Sequence, residues 1–377
     1  MAVPERDIDF IATYSAGWRK PRSKPSSRYH SSSEYPPSLT SSAGTTRKKR
    51  HVLEFKASSE LDQSEVKLTG VTVSPNGDIA VVDSGNKTVK LFTEKGKYKR
   101  EFGQDVQFEE KPLGLHQSAN GVGSDDDPDN VFDSEVDSDR GFSNTIGGSS
   151  NTIRCKVPGS LLRGPWDIAT LQDGDFAVTD IKESCLKIFT PEGHFVRRLG
   201  QGNLAYPRGV AMDKRGCFVV TDCPPTRGQQ RIRVFTPDGQ CVKVLPARKG
   251  MTLPFARPMY LTTESHNART IVSDMWSNTI QVLNSTGHEA FRYGGFGNGE
   301  EQLMAPHGIC SDGLGRIFIA DHLNHRICMV KLDEQEGTFL NYLATKSDGL
   351  RLPTALAFSP TTGHLVVTEL EGMVKIF

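Results

Sequence analysis

Short apolar runs ending in a carboxylate recur along the chain: "DIAVVD" (78–83), "DFAVTD" (175–180), "CFVVTD" (217–222), "TIVSD" (270–274), "RIFIAD" (316–321) and "HLVVTE" (364–369). The spacings between their acidic ends are 97, 42, 52, 47 and 48 residues. A second run follows each: "TVKLF", "CLKIF", "RIRVF", "TIQVL", "RICMV" and "MVKIF". Runs this short, rich in Val, Ile and Phe and bounded by Gly turns, predict strands rather than helices. "PNGD", "QDGD" and "DKRG" precede the acid-ending strands, while "EKGK", "PEGH", "PDGQ" and "STGH" follow the second runs. Gly late in such loops supplies the positive φ of a tight hairpin. Each unit therefore reads as a four-stranded antiparallel meander, and six of them predict an all-β, six-bladed β-propeller.

Blades are expected at about 68–103, 162–200, 206–245, 256–294, 304–343 and 352–377. The last stops after its third strand. An orphan run, "HVLEF" (51–55), resembles the fourth strands "YKREF", "FVRRL" and "CVKVL". It is expected to complete the last blade and close the ring, leaving no open edge.

Charge changes the picture in two places only. The chain is neutral, with 45 basic and 45 acidic residues, but residues 1–50 carry ten Lys/Arg against four Asp/Glu. Residues 104–160 carry four against eleven. The first segment, rich in Ser and Pro, reads as a disordered basic tail, and the second as an acidic, largely disordered loop inserted between blades 1 and 2. The seven cysteines form no C-x-x-C pair and mostly lie in apolar runs, which suggests buried thiols in a reducing compartment. No secretory h-region and no membrane-length apolar stretch is seen, so a cytoplasmic location and no membrane partner are expected. Arg47, Lys48, Lys49 and Arg50 form a basic run that reads either as a nuclear-import patch or as a flank to the closing strand.

The units resemble the NHL repeat, most closely in "DSGNKTVKLF" (83–92) and "DHLNHRICMV" (321–330); "DMWSNTIQVL" (274–283) fits loosely and "ELEGMVKIF" departs from it. The chain looks like the propeller of the tripartite-motif (TRIM) NHL proteins. That resemblance implies association with ubiquitin ligases and recognition of protein or RNA targets. Residues 1–50 contain no Cys, so no RING zinc site forms there. Ligase catalysis is not expected from this chain.

Antiparallel connectivity puts the strand two-to-three turns and the links between blades on one loop-rich face. The first residues of the inner strands line the axis there: Thr69, Trp166, Arg208, Met259, His307 and Thr354. Around them lie Tyr206, Arg227, Arg231, Arg248, Lys249, Arg257, Tyr260, Trp276, His322, His325 and Arg326. Cations with interleaved aromatics suit single-stranded RNA, and an Arg in a "PRGV" context contacts RNA in propellers of this family; Arg208 in "YPRGV" matches it. The plainer readings are a structural Trp166 plug, steric Gly70, Gly209 and Gly308, turn-capping strand-end acids, and solvated histidines. The acidic insertion leaves from the same face, where it could compete with an anionic partner.

The leading expectation is a monomeric, non-catalytic recognition scaffold for a protein target, a ubiquitin-ligase component or RNA, working in ubiquitin-linked degradation or post-transcriptional repression. Selective binding of single-stranded or hairpin RNA is one alternative. A metal-dependent lyase or hydrolase is another, but His307 is the one His among the six axial positions, so no metal, cofactor or catalytic residue is expected.

Overall fold

The computed structural model describes residues 51–104, 160–226, 228–245, 255–264 and 268–377. The basic tail with Arg47–Arg50, residues 105–159 of the insertion, and Arg227, Arg248 and Lys249 lie outside the described residues.

Among the described residues, 24 strands form six four-stranded antiparallel sheets. Blade 1 comprises β2 (Leu68–Val73), β3 (Ile79–Asp83), β4 (Thr88–Phe92) and β5 (Tyr98–Phe102). Blade 2 has β6 (Pro165–Thr170), β7 (Phe176–Asp180), β8 (Cys185–Phe189) and β9 (Phe195–Leu199), and blade 3 has β10 (Pro207–Met212), β11 (Phe218–Asp222), β12 (Arg231–Phe235) and β13 (Cys241–Leu245). Blade 4 comprises β14 (Pro258–Glu264), β15 (Arg269–Asp274), β16 (Thr279–Leu283) and β17 (Glu289–Gly294). Blade 5 comprises β18 (Pro306–Ser311), β19 (Arg316–Asp321), β20 (Arg326–Leu332) and β21 (Gly337–Ala344). Blade 6 joins β22 (Pro353–Phe358), β23 (Leu365–Glu369) and β24 (Met373–Ile376) to β1 (Leu53–Lys56) from the other end of the chain. Each inner strand packs on the next, and β22 packs on β2, so the ring is closed.

The closing strand lies slightly later than "HVLEF". Leu53 faces Ile376 and Lys56 faces Met373 in an antiparallel pair. Phe55 then does for blade 6 what Phe102 and Leu245 do for blades 1 and 3. It lies under the three-to-four turn of blade 1, where a Cβ on Gly96 would stand 2.5 Å from its ring. Gly193 meets Phe102 and Gly287 meets Leu245 in the same way. The hairpin glycine is thus required twice, for its positive φ (75° at Gly96) and for the ring beneath it.

Each blade is nailed at its strand-end acid. Asp83 pairs with Lys90 at 2.8 Å, Asp180 with Lys187 at 3.0 Å, Asp222 with Arg233 at 3.1 Å, Asp321 with Arg326 at 2.7 Å and Glu369 with Lys375 at 2.6 Å. Blade 4 is the neutral exception, with Gln281 Nε2 donating to Asp274 Oδ2 at 3.2 Å. The same acids accept backbone N–H groups from the segment entering their inner strand, such as Gly164 (3.0 Å), Tyr206 (2.6 Å) and Arg257 (2.8 Å). They also cap the following turn, through Gly85 and Asn86 in blade 1 and Ser277 in blade 4. One carboxylate so ties three segments, and burial of Lys90 and Lys187 at 0 % exposure is tolerable only because each cation is paired.

Candidate functional site

Every inner strand shifts register after its first residue. This bulge packs the six inner strands tightly at their third position. There Gly70 would clash with the Asp167 backbone, Gly209 with Tyr260 and Gly308 with Ala355, at 2.6 to 2.8 Å from an added Cβ. Glycine in blades 1, 3 and 5 therefore makes room for Asp167, Tyr260 and Ala355 of blades 2, 4 and 6.

Just above lie the six axial residues, and the structure buries all of them: Thr69, Trp166, Arg208, Met259, His307 and Thr354 are 1 to 2 % exposed. They seal the axis. The Arg208 guanidinium carbon lies 4.3 Å from the Trp166 ring centroid and 5.4 Å from that of Tyr206, a stack that partly replaces hydration of the cation. Tyr260 reaches from blade 4 to blade 1 and donates its hydroxyl to the Thr69 carbonyl at 2.5 Å. Burial, then the Asp167 carboxyl, pushes the Tyr260 phenol well above its ordinary value, so it stays a donor. The His307 and His322 rings stack at 4.0 Å. His322 Nδ1–H donates to the Pro353 carbonyl at 3.0 Å, and burial pushes the ring down to about 4. Burial, then His322 and Arg208, pushes His307 well below its ordinary value too.

The remaining basic residues divide. Arg326 is buried and structural: besides Asp321, it donates to the carbonyls of Asn298 (2.8 Å), Gly299 (2.9 Å) and Gln302 (2.8 Å) and stacks on Tyr342. It holds the link between blades 4 and 5. His325 takes a left-handed turn conformation (φ 53°) shared by Lys87, Ser184 and Asn278, and its Nδ1 accepts the Leu352 N–H at 3.1 Å. Half-buried Arg231 donates to Gly228 and Gln230 carbonyls. Arg257 is half-buried and lies 5.0 Å from the ring of Trp276, which is 37 % exposed.

Three residues were missed from sequence. Phe296, 53 % exposed, stands on the link that Arg326 anchors. Asn278 Oδ1, two residues from Trp276, accepts the Ala305 N–H of that link at 2.8 Å. Asp167 enters the axis at the position where three blades carry Gly, and that break in the repeat was its visible signal. Among the described residues no group of three or more His, Cys, Asp or Glu is placed to hold a metal ion. No helix among them is long and apolar enough to cross a membrane.

No family model matches the chain. It is similar to Protein brain tumor of Drosophila melanogaster, 24% identical over 161 residues, covering 42% of this chain and 11% of that protein. It is also similar to NHL repeat-containing protein 3 of Homo sapiens, 24% identical over 196 residues, covering 48% of this chain and 54% of the other. The chain spans about half, or much less, of the length of these relatives. Among solved structures it resembles a streptogramin B lyase (TM-score 0.51, 13% identity, 88% of this chain and 99% of that one). It resembles as well a protein assigned as a gluconolactonase (TM-score 0.54, 12% identity, 86% and 91%). At such identities these two likenesses carry the fold alone. The six-bladed ring and the two NHL-repeat relatives together support an NHL-type propeller.

Proposed function

We propose that the chain is a non-catalytic recognition propeller that holds a protein target on its loop-rich face, over blades 4 and 5. The observation that carries this is the exposed pair Trp276 and Phe296, with Arg257 against the indole, above an axis sealed by interlocked side chains. Exposed aromatics beside a cation are the composition of interface hot spots. Much of the other charge on this face is locally matched, as in Arg163 with Glu183 and Arg351 with Glu371, which favours a protein over a polyphosphate chain. The residues of the sealed axis, Arg208 among them, support the face from below in this reading. A setting in ubiquitin-linked degradation or in post-transcriptional repression is what the family resemblance implies, and it belongs to the same proposal.

Crosslinking and pulldown with the full chain test it, comparing wild type with Trp276→Ala plus Phe296→Ala. Both side chains are exposed, so the variant should keep its melting temperature and lose the captured protein. Retention of that protein overturns the assignment of the face. Capture of RNA instead, with log affinity falling by several units per log unit of salt, assigns the face to nucleic acid. Stoichiometric zinc or calcium in purified protein would favour the catalytic alternative.

A further inference from the structure

Target recognition makes no use of the other end of the axis. Below the sealing layer the inner strands enclose a channel of about 360 Å³. It is lined by the later residues of those strands, so it opens toward the face of the one-to-two and three-to-four turns. Thr72, Thr170, Thr262 and Thr263 give its wall hydroxyl groups, while Ile309 and Leu356 give it apolar surface. Asp167 and Tyr260 stand at its inner end.

Asp167 is the one carboxyl among the lining residues. It is 6 % exposed, and its Oδ2 accepts the Val210 N–H at 3.0 Å. Unlike five of the six strand-end acids, it forms no ion pair with Lys, Arg or His among the described residues. The neighbouring groups offer it no cation: Tyr260 is held protonated, His307 is held neutral, and the Arg208 guanidinium lies between Trp166 and Tyr206. A buried carboxylate facing an open polar channel, with no cation of its own, is a site for one.

We infer that the channel binds a primary ammonium group, with Asp167 as its counter-ion at the inner end and the threonine hydroxyls as polar wall further out, where Thr72 and Thr170 bond to each other at 2.9 Å and Thr263 donates to the Met212 carbonyl at 2.6 Å. One carboxylate with neutral oxygens matches a single positive charge, whereas a divalent metal gathers more oxygens and more charge. An ammonium has three N–H donors, which the carboxylate and the solvent of the open channel accept. Its alkyl stem extends along Ile309 and Leu356 toward the open end.

Burial pushes the Asp167 carboxyl up to about 7, so an ammonium entering below that pH displaces the carboxyl proton to solvent, charge for charge. Calorimetry with n-butylammonium on the full chain tests this. Affinity should rise about tenfold per pH unit between roughly pH 5 and 7, with proton release seen as a difference between buffers of unlike ionisation enthalpy. Asp167→Asn should abolish binding. A Gly-Lys-Gly peptide separates the sources: its binding shows that a lysine side chain enters, and binding of the free amine alone confines the site to small amines. No heat up to about 10 mM amine, binding that survives Asp167→Asn, or equal competition by potassium would each overturn the inference.

Discussion

Single residues of the axis set opposite pH dependences on stability. The Asp167 carboxyl is pushed up to about 7 by burial, against about 3.9 in an unfolded chain. The unfolded state therefore loses its proton first, and stability present in full below about pH 4 declines as pH rises through about 7. His322 works the other way. Its ring is pushed down to about 4 from about 6.5, so the unfolded state gains its proton first, and stability complete above about pH 6.5 is lost as pH falls toward 4. At about 1.4 kcal/mol per pKa unit, Asp167 accounts for up to roughly 4 kcal/mol and His322 for up to roughly 3. In urea unfolding, Asp167→Asn should raise the midpoint at pH 8 and leave it nearly unchanged at pH 4. His322→Gln should reduce the loss between pH 7 and 5. Profiles parallel to wild type would show that neither group titrates as its surroundings require.

At the scale of the blade, what matters is what a substitution leaves behind. Removing the charge of Glu369 strands buried Lys375, whose Nζ otherwise donates to the Gly349 carbonyl. Removing the charge of Asp274 strands no buried cation, since its donors are the neutral Gln281 amide and the Ala256, Arg257 and Ser277 N–H groups. Glu369→Gln should then cost about 3–5 kcal/mol and Asp274→Asn about 1–2 kcal/mol, as measured by denaturant midpoints; equal costs would contradict the pairing argument. The acids were legible in the sequence because they end every second strand. Their cations were harder to read. The partner is seven residues on in blades 1 and 2, where Asp83 meets Lys90 and Asp180 meets Lys187, but the turn lengths move it to Arg233, Arg326 and Lys375 elsewhere. A lysine at the centre of an apolar strand was the available signal. Axial order was legible in the same partial way. Repeat alignment found the six axial positions, but burial of Arg208 depends on Trp166 of the preceding blade and on Tyr206 beside it, and alignment does not report which rings close over a side chain. Phe296 was invisible because the blade links share no motif.

The whole ring depends on a strand from the far end of the chain. Six blades repeat closely enough to be counted from apolar runs and turn glycines, and the shortfall of one strand in blade 6 pointed to the run near residue 53. The structure shows why that strand is needed: β1 covers β24, and Phe55 fills the space under Gly96 and packs on Phe92 at 4.9 Å. Two losses follow from removing it, one of packing and one of edge protection, and they separate by experiment. Phe55→Ala keeps the β1 hydrogen bonds but loses the ring, at a cost of roughly 2 kcal/mol for a partly buried Phe, without change in oligomeric state. Deleting residues 1–57 removes both and leaves β24 with unpaired N–H and C=O groups along its length. That edge is a template for a second chain. Size-exclusion chromatography should then show concentration-dependent association of the truncated chain alone, and a monomeric truncated ring with wild-type stability would refute closure by β1.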